Sequence, residues 1–64
     1  MLFKEYRIKR GLTQEELADK IEITWRQMQR IEKEKSLPSL QTLKKLIIIL
    51  DISDEDVAQY IKSL

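Results

Sequence analysis

Cysteine and histidine are both missing from this chain. Their absence removes disulfides, the usual ligands of Zn²⁺, thiol nucleophiles and imidazole bases. No catalytic residue, metal or cofactor is therefore expected. The lack of cysteine is compatible with a reducing cytoplasm. Glycine and proline occur once each, as Gly11 and Pro38, which argues against sheets, long loops and disorder. Long hydrophobic runs are absent too. The longest, Leu46-Ile47-Ile48-Ile49-Leu50, falls far short of the ~20 residues of a membrane span. Met1-Leu2-Phe3-Lys4 lacks the apolar core of a signal peptide, so no membrane partner is expected. Aromatics are few, which leaves no stacking platform for single-stranded RNA. An excess of one charge is also lacking, since the net charge is +1.

What the chain has is 64 residues, read as one domain over 1–64. A domain so small buries only about 60% of its unfolded surface. Its charge is slightly polarised: residues 1–35 carry nine Lys/Arg against seven Asp/Glu, and residues 36–64 three against four. That would suit nucleic acid on one side and a partner on the other, and equally an ordinary solvated surface.

Helix starts punctuate the sequence. Helix 1 is expected over Leu2 to about Arg10, ending at Gly11. Thr13 then caps helix 2, with Glu16 three residues on as a capping box and Leu12 with Leu17 as a hydrophobic staple. Thr24, Gln27, Ile23 and Met28 repeat that arrangement for helix 3, expected to run to about Lys33. Only Glu22 and Ile23 separate helix 2 from the next cap, so the pair should form a tight corner. A loop, Glu34-Lys35-Ser36-Leu37-Pro38, leads to helix 4, capped by Ser39 with an inward stripe of Leu40, Leu43, Leu46, Ile47 and Leu50. Ser53 caps helix 5. The acidic run Asp54-Glu55-Asp56 complements its positive end and is read as that rather than as a metal site. The fold class is all-α, a compact bundle of five helices.

Helix 3 carries the chemistry. Met28 and Ile31 face inward, while Arg26, Gln27, Gln29 and Arg30 face out and Trp25 is the one apolar side chain on that face. Arginine and glutamine pair in bidentate fashion with guanine and adenine edges in the DNA major groove.

From Gly11-Leu12-Thr13-Gln14-Glu15-Glu16-Leu17-Ala18 onward the chain resembles the Cro/cI-type, or XRE-type, helix-turn-helix regulators of bacteria and phages. The match continues through Ile21, Ile23-Thr24, Met28, Arg30-Ile31-Glu32, Pro38-Ser39-Leu40, Thr42-Leu43, Leu46 and Leu50 to Ile52-Ser53. The resemblance implies a transcriptional regulator, most simply a repressor, that binds double-stranded DNA in the cytoplasm as a homodimer on a palindromic operator, helices 2 and 3 forming the helix-turn-helix. By position, Trp25, Arg26, Gln27 and Arg30 would read bases, with Gln29 at the groove edge. Thr13, Gln14, Thr24, Lys33 and Lys35 would meet phosphates. Arg7 and Glu32 would form a structural ion pair. Ile48 turns outward, and with Val57, Tyr60, Ile61 and Leu64 it supplies more apolar surface than one small core needs. Part of that surface is expected to close the core and the remainder to form a dimer interface. These residues include no sensor segment, so control is expected from dimer equilibrium, turnover or a second protein.

Three positions depart from the family pattern. The family usually places glycine where this chain has Glu22, Glu34 and Asp51. The resemblance then implies either strained left-handed residues or differently shaped turns. Glu22 and Glu34 also add negative charge near the expected DNA surface. They lend weight to a rival reading, a protein-interaction module on the same fold. An antitoxin that represses its own promoter while holding a toxin is the other rival.

Overall fold

The computed structural model describes residues 2–64, and every regular element among them is a helix. In order they are α1 (Leu2–Lys9), α2 (Gln14–Lys20), α3 (Trp25–Glu32), α4 (Leu40–Leu50) and α5 (Asp54–Lys62). The expected starts agree with these bounds, and the ends agree to within a residue or so.

One core serves all five. Phe3 from α1, Leu17 and Ala18 from α2, Met28 and Ile31 from α3, Leu46 and Leu50 from α4, and Ile21 and Ile52 from the connections are buried together. Fully burying each large side chain contributes about 1.5–3 kcal/mol relative to exposure. α2 packs most heavily on α3, and α1 on α4. Tyr60 closes the open end by meeting Phe3 edge to face, ring centroids 5.0 Å apart.

The corners share one construction. Gly11, Glu22, Glu34 and Asp51 are all left-handed, with φ of 69°, 61°, 59° and 53°. Each lets the chain close a Schellman motif over the helix just ended. After α2, the Ile23 N–H donates to the Ala18 carbonyl at 3.0 Å and the Glu22 N–H to the Asp19 carbonyl at 3.3 Å. After α3, Lys35 donates to Arg30 at 2.9 Å and Glu34 to Ile31 at 3.1 Å. The turns therefore keep their shape without glycine. Each non-glycine residue bears a left-handed penalty of about 1–2 kcal/mol. At three corners the apolar residue that completes this motif (Leu12, Ile23, Ile52) also stands just before the next cap and packs on the core.

One expectation fails. Helical spacing puts Leu40 on the inward stripe of α4, yet it is 84% exposed. Burial on α4 is complete at Leu46 and Leu50, partial at Leu43 and Ile47, and gone at the first turn. The helical period is right, but the helix starts beyond the reach of the core.

Candidate nucleic-acid interface

The α2–α3 corner is built from its caps. The Thr13 hydroxyl accepts from the Glu16 N–H at 3.1 Å, and the Glu16 carboxylate accepts from the Thr13 N–H at 2.9 Å. The Thr24 hydroxyl accepts from Gln27 at 3.1 Å, and the Gln27 carbonyl oxygen accepts from Thr24 at 2.9 Å. Both threonines are exposed, and each hydroxyl keeps its own proton to donate outward.

Beneath the corner, Arg7 of α1 holds Glu32 of α3 with two bonds, Nε to Oε2 at 2.7 Å and Nη2 to Oε1 at 3.1 Å. The two side chains are only 11% and 4% exposed. A third guanidinium nitrogen, Nη1, donates to the Leu12 carbonyl at 2.8 Å. Gln14 of α2 then donates from Nε2 to Glu32 Oε1 at 3.0 Å and accepts from the Trp25 indole N–H at 3.2 Å. A continuous relay, Arg7–Glu32–Gln14–Trp25, thus ties three helices together. No buried side-chain nitrogen or oxygen among the described residues lacks a partner.

Above the relay lies the outer face of α3. Arg26, Gln27 and Arg30 are exposed, and Gln29 is half-buried. Arg30 bends toward the end of its helix, with Nη2 3.4 Å from the Lys35 carbonyl. Lys33 and Lys35 are exposed beside it. The first turn of α3 holds no acidic residue. Of the two carboxylates at the corner ends, Glu22 is drawn to Lys45 at 3.4 Å, and Glu34 is exposed. The face combines hydrogen-bond donors with cationic side chains.

Gln27 closes the expected capping box, and Gln14 is less free than sequence reasoning implied. Gln27 spends its carbonyl on the cap, which leaves its amide N–H₂ to face outward. Gln14 spends one N–H and its carbonyl on the relay, which leaves one N–H. Neither engagement was legible for Gln14, because its partners lie 11 and 18 residues away.

Sequence reasoning also missed two tethers. The Tyr6 hydroxyl accepts from the Ser53 N–H at 3.3 Å and donates to Asp56 at 2.6 Å. It supplies the reciprocal bond at the α5 start, where Glu16 and Gln27 do so for α2 and α3. Arg10 donates to the Leu50 carbonyl at 3.1 Å and lies 3.6 Å from Asp51. It steadies the strained end of α4. No local pattern announces either.

The residues expected at a dimer interface divide into two sets. Val57 and Tyr60 are half-buried against the core. Burial, and then the Glu34 carboxylate, push the Tyr60 phenol above its ordinary value. Ile48, Ile61 and Leu64 are exposed. Ile48 and Ile61 line a shallow apolar groove with Leu40, Leu43 and Ile47.

Among the described residues, no acidic cluster could hold a metal ion, and no helix is long and apolar enough to cross a membrane. A family model described as helix-turn-helix matches residues 3–57. No curated protein and no solved structure matches the chain.

Proposed function

The chain belongs to the helix-turn-helix family of the XRE, or Cro/cI, type, and from that premise we propose that it is a repressor that binds a palindromic operator as a homodimer. The family is one of DNA-binding regulators, not of enzymes. α3 lies in the major groove, and the start of α2 meets the backbone. The observation that carries this reading is the outer face of α3, where Arg26, Gln27 and Arg30 stand exposed on a helix fixed from below by the Arg7–Glu32 pair. Arg26 or Arg30 reads guanine O6 and N7, and the free amide of Gln27 donates to an acceptor edge. Trp25 touches the groove at the helix start, and half-buried Gln29 stays at its edge. Thr13 and Thr24 donate their hydroxyl protons to phosphates, Gln14 its remaining N–H, and Lys33 and Lys35 their charge.

The second copy docks on the exposed apolar side chains Ile48, Ile61 and Leu64, because a two-fold operator calls for a self-complementary patch. Val57 and Tyr60 support that patch from the core. The protein works in the cytoplasm, on DNA, and a second protein partner could release it.

Selection of bound sequences from a random duplex pool tests the reading. The expected winner is a palindrome with half-sites about 10 bp apart. Its affinity should fall steeply with salt. Arg26→Ala and Arg30→Ala should each cost about 1–3 kcal/mol and relax one base pair. Failure to enrich any sequence would overturn DNA reading in favour of a protein-interaction module, a role consistent with the carboxylates of Glu22 and Glu34.

A further inference from the structure

We propose that Trp25 selects thymine, by packing its ring against the 5-methyl group that only thymine carries into the major groove. The inference rests on the DNA-reading function above and deepens it. Trp25 is the first residue of α3 and is 50% exposed. Residues at the start of a recognition helix are those that reach base edges.

The bonding of the ring decides what it can read. Indole has one hydrogen-bonding atom, the Nε1–H, and it is a donor only. Here that donor is given to Gln14 Oε1 at 3.2 Å. Gln14 is in turn held by Glu32 at 3.0 Å, and Glu32 by Arg7 at 2.7 Å. The indole is therefore tethered to a buried ion pair, and apart from that engaged N–H its ring is hydrocarbon. It has no donor left for a phosphate, a purine N7 or a carbonyl edge. Major-groove edges present acceptors, amino donors and a single hydrocarbon group, the thymine methyl. An apolar side chain fixed in place meets that group favourably and meets the others at a desolvation cost. Trp25 would thus discriminate by contact area, while Arg26 and Arg30 discriminate by hydrogen bonds.

The test removes the methyl and nothing else. The full chain is first used to select its preferred duplex. Each thymine of one half-site is then replaced by deoxyuridine, one at a time, and affinity is measured by the anisotropy of labelled DNA. At one position the wild-type protein should bind about fourfold more weakly, as expected for one buried methyl group. The single tryptophan should report the same position, its emission shifting less on binding the uridine duplex. Trp25→Ala should bind the thymine and uridine duplexes equally. Trp25→Phe, apolar but untethered, should keep part of the preference. A selected sequence bound with equal affinity at every uridine position would overturn this inference and leave DNA reading intact. So would a Trp25→Ala variant that still distinguishes thymine from uridine. No selected sequence at all would overturn the DNA reading, and this inference with it.

Discussion

α2 and α3 begin with the same pair of bonds and end in the same left-handed turn, yet they present opposite chemistry. The reciprocal bonds at their starts match in length, 3.1 and 2.9 Å in each. The α2 box is closed by a carboxylate, Glu16, and its first turn holds Glu15 as well. The α3 box is closed by a neutral amide, Gln27, and its first turn holds no acid. A carboxylate near a helix N-terminus gains from the helix dipole. α3 forgoes that gain. The geometry of a start and its charge are thus separable, and α3 keeps the one without the other.

The largest expected effect lies in what the two helices share. Glu32 anchors α3 to Arg7 and, through Gln14, anchors α2 as well. Glu32→Ala would leave the Arg7 guanidinium buried and uncompensated, which should cost about 3–5 kcal/mol. Urea unfolding measures it directly. A loss below about 1 kcal/mol, the range of exposed ion pairs, would show that the caps and core alone hold the corner.

The caps come next. Thr13→Ala and Thr24→Ala each remove the acceptor for one N–H and should each cost about 1 kcal/mol. Equal bond lengths predict equal losses. Thermal unfolding of the two variants, side by side, checks this. A clearly larger loss at Thr13 would show that the charge of Glu16 depends on its cap, and the two starts would no longer be equivalent.

Such local features were legible because they repeat in short compass. Gly11-Leu12-Thr13, Glu22-Ile23-Thr24 and Asp51-Ile52-Ser53 each spell a helix end, an apolar pin and a cap in three residues. From these triplets, with the Pro38-Ser39 start of α4, follow the helix count and the tight corner, and the helical spacing of Met28 and Ile31 gives the outward face of α3. What stayed hidden depends on where distant pieces meet. Leu40 fits the helical period but has no core above it. Tyr6 reaches Asp56 across 50 residues of sequence, and Arg10 reaches Leu50 across 40. Tyr60 reads as spare apolar surface until Phe3 is seen against its ring. The tether on Trp25 belongs to the same class. The sequence marks Trp25 as unusual, and only the packing of α1, α2 and α3 shows that its N–H is already taken.

Exchanging the two box residues gives the smallest effect on stability and separates fold from interface most cleanly. The Glu16 carboxyl is held below the ordinary glutamate value, first by the Thr13 N–H and then by the Thr13 hydroxyl, with Lys20 adding a little and burial opposing. Its folded value lies below its unfolded one. The contribution is therefore complete above about pH 4.3, the ordinary glutamate value, and is lost as pH falls through the lowered one. Glu16→Gln should flatten the acid side of the stability profile slightly and, by removing a negative charge from the helix start proposed to meet the DNA backbone, tighten binding to every duplex modestly. Gln27→Glu should do the reverse. It should add a second acid-sensitive start and preserve the fold at neutral pH, but weaken binding to every duplex, since it sets a negative charge on the face proposed to meet DNA. The double exchange should unfold with acid much as the wild type does and still bind DNA poorly. If Gln27→Glu bound DNA as tightly as the wild type at low salt, the neutral box on α3 would have no bearing on DNA, and the contrast between the two helices would be one of sequence alone.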